Sequence, residues 1–184
     1  MRRVTTERLT VKPLAIRHSP ALFGILSDEK TSWWADIYKM ADQFEADWMI
    51  IDFNVNITDV DQFGVFLKGT DTLLGILQVQ HPGRTGKAGC YELGYVLSKD
   101  HRGKGYMTEA VRAVCDRLFR EHPQAELRLE ILPDNGGSLG VARRCGFVYE
   151  EEPAELKEKR FLDALPLDRY VLRHPETVSA GMAA

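Results

Sequence analysis

The chain has 184 residues, 44% of them apolar and 28% charged, with a formal net charge of −3. This is the size and composition of a single globular domain able to bury its own core. The slightly acidic balance leaves no basic footprint, so nucleic acid is not an expected partner, and no apolar run approaches the ~20 residues needed to span a bilayer.

The N-terminal MRRVTTERLT opens with the adjacent pair Arg2-Arg3 and has no apolar stretch behind it, so no signal peptide is expected. A first extended segment is predicted at Arg8–Leu14, with Leu9, Val11 and Pro13 on one side. Ser19 then precedes a short helical run holding Leu22, Phe23, Ile25 and Leu26. A second helical signal spans roughly Ala41–Val55, where Phe44, Trp48, Ile51 and Val55 recur at steps of three and four. That period predicts that Trp48 packs its helix onto the core; the functional alternative for Trp33, Trp34 and Trp48 is a wall of a substrate pocket.

Alternating patterns follow at Gln62–Lys68 and Thr72–Gln80. The short link Gly69-Thr70-Asp71 predicts that they form an antiparallel hairpin. Residues 81–89, HPGRTGKAG, read as a glycine-rich loop, and Cys90–Ser98 alternates as a strand. A long helix is predicted from about Gly103 to Glu121, presenting Met107, Ala110, Val111, Val114, Leu118 and Phe119 on one face and ended by Pro123. Then come a strand at Glu126–Leu132, a shorter helix at Ser138–Cys145 closed by Gly146, and a strand pair at Phe147–Glu150 and Arg169–Leu172. The run Glu150-Glu151-Glu152 and the mixed charges Glu155–Arg160 read as a solvated turn, with repulsion of an anionic or attraction of a cationic substrate as the alternative. The expected domain is 1–173, with 174–184 a disordered tail. Cys90, Cys115 and Cys145 form no CxxC and have no neighbouring His cluster, which predicts reduced core thiols in a cytoplasmic protein without a metal.

The segment HRGKGYMTEA, 101–110, carries the most chemistry. It joins a strand to a helix start, where glycines admit close approach of a ligand and unpaired amides face an anion. Arg102 and Lys104 add positive charge and Thr108 a hydroxyl, a combination suited to pyrophosphate. The plain alternative is a tight turn with a solvated basic pair. A P-loop would need Ser or Thr after Lys104, where Gly105 stands, and a dinucleotide fingerprint would need glycine at Thr108.

Four pieces in order now resemble the GCN5-related N-acetyltransferase superfamily, in particular its RimJ/RimL-like branch of ribosomal-protein N-terminal acetyltransferases. They are Glu92-Leu93-Gly94-Tyr95-Val96-Leu97, Arg102–Ala110, Pro133-Asp134-Asn135 with Ser138, and Cys145-Gly146-Phe147. The resemblance covers roughly Arg8 to Leu172. It implies a mixed α/β fold whose mostly antiparallel sheet contains one splayed parallel pair, here Cys90–Ser98 and Glu126–Leu132, with helices on both faces. It also implies acetyl-CoA as acyl donor, held by the backbone of Val96, Leu97 and Ser98, by the Arg102, Gly103, Lys104, Gly105, Tyr106, Met107, Thr108 loop, and by Asn135. Met107 departs from the Gly/Ala usual at that loop position, which implies a tighter or shifted fit. Asn135 has a second reading as a helix N-cap.

The reaction implied is attack of a primary amine on the thioester, which needs a base, an oxyanion donor and an acid for the thiolate. Neutralising an α-amine of pKa ~8 at pH 7 costs about 1 kcal/mol, against roughly 4.6 kcal/mol for a lysine near ~10.4. Glu92 is the candidate base, with an ion-paired strand glutamate as its plain alternative. Many superfamily members place an acidic tyrosine where Ala142 stands, so that role does not transfer. The RimJ/RimL-like branch instead has a serine at the Ser138 position, so the resemblance implies Ser138 as candidate catalytic group for thiolate protonation or cofactor contact, with first-turn capping as its alternative. Arg160 stands before Phe161-Leu162, where the branch sometimes has a carboxylate. The expected acceptor is a protein or peptide N-terminal α-amine, by the branch resemblance alone. The alternatives are a small amine such as an amino acid, polyamine or aminoglycoside, and a non-catalytic acyl-CoA-binding module. A homodimer is common in the branch and compatible with the chain.

Overall fold

The computed structural model describes residues 3–34, 39–151 and 167–174. Arg160, the Phe161-Leu162 pair and residues 175–184 lie outside them. Two short strands open the chain, β1 (Val4–Thr5) and β2 (Leu9–Pro13), followed by a 3₁₀ turn at Ile16–His18. Three helices come next: α1 (Ser19–Leu26), α2 (Glu29–Trp34) and α3 (Gln43–Val55). The hairpin β3 (Val60–Leu67) and β4 (Leu73–Gln80) leads through one helical turn, α4 (Pro82–Thr85), into β5 (Cys90–Leu97). After a second 3₁₀ turn, Lys99–His101, the chain builds α5 (Tyr106–Glu121), β6 (Glu126–Ile131) and α6 (Gly136–Cys145). It closes with β7 (Val148–Tyr149) and β8 (Asp168–Arg173).

Among the described residues the strands form one sheet in the order β1-β2-β3-β4-β5-β6-β8-β7. Every pairing is antiparallel except β5 with β6, which runs parallel. That parallel pair follows from the intervening α5, because a crossover helix returns the chain to the same end of the sheet. This is the mixed α/β architecture anticipated from the sequence. The expected hairpin is present, with Phe63 opposite Leu77.

The two sheet faces are covered differently. Leu9, Val11, Phe63, Leu77, Leu93, Leu127 and Leu129 meet Met107, Ala110, Val111, Val114 and Leu118 of α5 and Val141 and Ala142 of α6. On the other face Phe66, Leu73, Ile76 and Val96 meet Leu22 and Leu26 of α1 and Ala46 and Ile50 of α3. β3 and β4, sandwiched between these layers, are buried along nearly their whole length. A core side chain of this kind contributes roughly 1.5–3 kcal/mol by leaving water.

Two expectations are corrected here. Residues 81–89 are not only loop, since Pro82 at the first helical position starts a helical turn. More importantly, the apolar stripe of α3 does not face the core. Phe44, Trp48, Ile51 and Val55 are 64%, 51%, 45% and 71% exposed, while Ala46 and Ile50 are buried. Small Ala46 lets α3 lie close to α1 and the sheet, and the larger side chains point outward.

Candidate functional site

The site begins where the parallel strands part. β5 pairs with β6 only at Cys90, Tyr91 and Glu92, opposite Glu126, Leu127 and Arg128. Beyond that, β6 continues against β8 and β5 continues against β4. The edge of β5 facing β6 therefore loses its strand partner over Leu93–Leu97, leaving backbone groups that a bound molecule can satisfy. One close contact keeps β5 in place. A Cβ on Gly75 of β4 would lie 2.2 Å from the Val96 carbonyl oxygen, so only glycine allows the two strands to meet there.

A cavity of about 680 Å³ opens at this point. It is walled by Tyr95, Val96 and Leu97 of β5, by the turn and first residues of α5, by residues 135–138 with Gly140, Val141 and Arg144 of α6, and by Lys30 and Thr31 of α2. The helical α5 starts later than the sequence suggested, at Tyr106. Gly103 and Gly105 instead take positive φ, +76° and +77°, and turn the chain so that the first amides of α5 are presented without a side-chain cap. Uncapped amides at a helix start carry partial positive charge and hold anions.

Neighbouring side chains hold this turn in place. Arg102 Nε donates to the Leu97 carbonyl at 3.1 Å and Nη2 to Thr31 Oγ1 at 2.7 Å, tying α2 to the end of β5. Arg8 Nη1 donates to the Lys104 carbonyl at 3.0 Å and its guanidinium lies 4.8 Å over the Tyr106 ring. Glu109 receives Arg8 Nε at 2.7 Å, the Arg8 amide at 2.9 Å and the Thr6 hydroxyl at 2.5 Å. Burial pushes the Glu109 carboxyl up, but these donors from Thr6 and Arg8 outweigh it and hold the group below the usual carboxylate range.

On the opposite wall, Asn135 Oδ1 accepts the Ser138 amide at 3.1 Å, so Asn135 is the N-cap of α6. Ser138 is thus the capped residue, and its carbonyl accepts the Tyr95 hydroxyl at 3.3 Å. Burial pushes the Tyr95 phenol well above its ordinary value. Arg144 Nε donates to Thr108 Oγ1 at 3.2 Å, its guanidinium beside Gly140, where a Cβ would come within 3.2 Å.

The structure brings Val96, Leu97, Arg102, Gly103, Gly105, Tyr106, Met107, Thr108, Asn135 and Ser138 to one cavity. Met107 is buried in the core on α5, so only its backbone is available. Three predicted residues fall outside the wall. The Ser98 amide is occupied by the Leu74 carbonyl at 2.8 Å. Lys104 Nζ turns to the Asp100 carbonyl at 3.0 Å. Glu92 sits at the point of divergence, 21% exposed as a side chain, with Arg128 Nη1 at 3.9 Å and Gln80 Nε2 at 3.4 Å. Tyr95, Lys30, Thr31 and Arg144 were not singled out from the sequence as site residues; only the alternation that included Tyr95 pointed toward the site.

The α/β sheet with one opened parallel pair, the uncapped helix start and the cavity between them form one continuous site. A family model described as the acetyltransferase (GNAT) domain matches residues 8–148, and the chain belongs to that family. It is 28% identical over 151 residues to the probable N-acetyltransferase YjcK of Bacillus subtilis, covering 76% of this chain and 80% of that one. Its fold is similar to that of a protein of Vibrio cholerae named as a proposed ribosomal-protein-serine acetyltransferase, with a TM-score of 0.77, 24% identity, and coverage of 93% and 97% of the two chains. It is also similar to RimL, the ribosomal L7/L12 alpha-N-protein acetyltransferase, in complex with coenzyme A, with a TM-score of 0.73, 17% identity, and coverage of 94% and 98%. The protein is therefore an N-acetyltransferase. Among the described residues no cluster of three or more His, Cys, Asp or Glu is placed to hold a metal, and no helix is long and apolar enough to cross a membrane.

Proposed function

We propose that this enzyme transfers the acetyl group of acetyl-CoA to the α-amine at the N-terminus of a protein or peptide. The carrying observation is the position of the candidate base: Glu92 lies where β5 and β6 part, outside the residues that line the cavity. A base at that place would reach the acceptor only through water. A lysine would require roughly 4.6 kcal/mol to deprotonate at pH 7, an α-amine about 1 kcal/mol, so the site suits the more acidic ammonium. The α-N-protein acetyltransferase among the structural neighbours agrees with this reading.

The residues fit the donor. Acetyl-CoA supplies an activated carbonyl and a thiolate leaving group. The edge of β5 that β6 leaves over Tyr95–Leu97 would pair with the pantetheine arm, with the Leu97 carbonyl already held by Arg102. The amides from Gly103 to Thr108, with Arg102 nearby, would hold the pyrophosphate, and Arg144 on α6 adds a further positive charge. Asn135 keeps the first turn of α6 in register with this edge. Lys104 contributes charge at a greater distance, and Ser98 fixes the strand end through its amide.

Glu92 would take the ammonium proton through water, its separation from the cavity wall being tolerable for an α-amine. Tyr95, whose hydroxyl lies on the Ser138 carbonyl at 3.3 Å, would supply the proton that the leaving sulfur requires, with Ser138 beside it. The buried Tyr95 phenol stays protonated throughout the working pH range, which makes it a donor. Thiol release from acetyl-CoA tests the assignment. Peptides with free N-termini should support it at least tenfold faster than Nα-blocked peptides carrying lysine. Equal rates, or turnover with polyamines alone, would remove the α-amine assignment.

A further inference from the structure

The outward stripe of α3 has no role in the cavity and requires an explanation of its own. Phe44, Trp48, Ile51 and Val55 lie within one narrow sector of the helix at 3.6 residues per turn, along about 16 Å of its length. The Phe44 and Trp48 rings meet edge to face at 6.3 Å. Their exposed area is on the order of 400 Å², comparable to the largest patch of a typical monomer. The borders of the stripe are acidic. Asp47 lies on one flank and Glu45 and Asp52 on the other, and α3 contains no lysine or arginine.

Resting on the reading of a protein acceptor, we infer that this stripe is a docking surface for a basic amphipathic helix of the acceptor protein. An apolar face read at i, i+4, i+7 and i+11 is the pattern by which one helix seats another, and acidic borders select a partner with lysine or arginine beside its apolar row. A second copy of this chain fits poorly. Two stripes facing one another would bury roughly 800 Å², below the ~1,200 Å² of a stable interface, and would oppose Asp47, Asp52 and Glu45 to their own kind. An anionic membrane surface is repelled by the same borders. The position suits an acceptor: α1 packs against α3 and against α2, and α2 carries Lys30 and Thr31 of the cavity wall. Docking on α3 would therefore hold the body of the acceptor on the α1–α2 side of the cavity.

The test compares three acceptors: a hexapeptide beginning with serine, the same hexapeptide joined by a Gly/Ser linker to a Leu/Lys amphipathic helix, and its Leu/Glu counterpart. The Leu/Lys acceptor should show a kcat/KM at least tenfold above the bare hexapeptide, and the Leu/Glu acceptor no gain. Phe44→Gln with Trp48→Gln should abolish the gain and leave the bare hexapeptide rate unchanged. Because both side chains are exposed, the thermal midpoint should not fall. Asp47→Lys with Asp52→Lys should transfer the preference to the Leu/Glu helix. Equal kcat/KM for all three acceptors would overturn the inference. So would a dimer that the Gln variants dissociate, or binding to anionic lipid vesicles that they abolish. A fluorescent, N-acetylated Leu/Lys helix separates the two levels. If it binds α3 while none of the peptides is acetylated, the protein-acceptor reading fails and the surface stands. If the hexapeptide is acetylated and the helix does not bind, the surface fails alone.

Discussion

Arg8 lies nearly a hundred residues before the glycine turn that opens α5, yet it joins that turn to the rest of the fold. It spans the Lys104 carbonyl, the Tyr106 ring and the Glu109 carboxylate, so Arg8→Ala should raise the KM for acetyl-CoA about tenfold with a smaller change in kcat. Steady-state kinetics check this, and an unchanged KM would mean that the turn holds its shape unaided. Glu109→Gln tests the same network by pH. The Glu109 carboxyl is held below its unfolded value, so its contribution is present at neutral pH and is lost as pH falls through the folded value. The variant should therefore be about 1–3 kcal/mol less stable at pH 7, a gap that closes below about pH 4 in denaturant titrations. At the reacting centre, Tyr95→Phe should lower kcat by tenfold or more without weakening acetyl-CoA binding. Glu92→Gln should do the same and flatten the acid limb of the pH–rate profile. An unaltered acid limb would take Glu92 out of the mechanism.

Elements differ in how far the sequence disclosed them. α5 was legible because its apolar residues fall on one face and its polar ones on the other, and Met107, Ala110, Val111, Val114 and Leu118 are all buried there. The turn before it was legible as a turn, because Gly103 and Gly105 take the positive φ that glycine adopts without strain. α3 was misread because it is apolar on two faces. Its period identified a helix but not which face is inward, a choice made by the space left between α1 and β3 and filled by Ala46 and Ile50. Lys30, Thr31 and Arg144 were illegible as site residues because separate elements carry them to the cavity and no local pattern marks them. Gly105→Glu tests the legible part. It forces a side chain into a positive-φ position, at a cost of about 1–2 kcal/mol, and puts a carboxylate beside the anion-holding amides. Calorimetry should show acetyl-CoA binding weakened at least a hundredfold, and unchanged affinity would refute the turn as the phosphate site.

The whole molecule divides its work between the two faces of one sheet. α5 and α6 pack on one face and supply the helix start and the capped turn that wall the cavity. α1 and α3 cover the other, with α2 beside them bringing Lys30 and Thr31 to the cavity wall. The opened β5–β6 pair lies between these layers, so the cavity exists only when the complete sheet is assembled. The central claim is that the acetyl group goes to an N-terminal α-amine, and one experiment addresses it directly. A peptide bearing both a free serine N-terminus and an internal lysine is incubated with the enzyme and acetyl-CoA, and tandem mass spectrometry locates the added acetyl group. The account predicts the group on the α-nitrogen, with lysine modified at less than about one tenth of that rate, as the difference in deprotonation cost requires. Acetyl found mainly on the lysine nitrogen would contradict it.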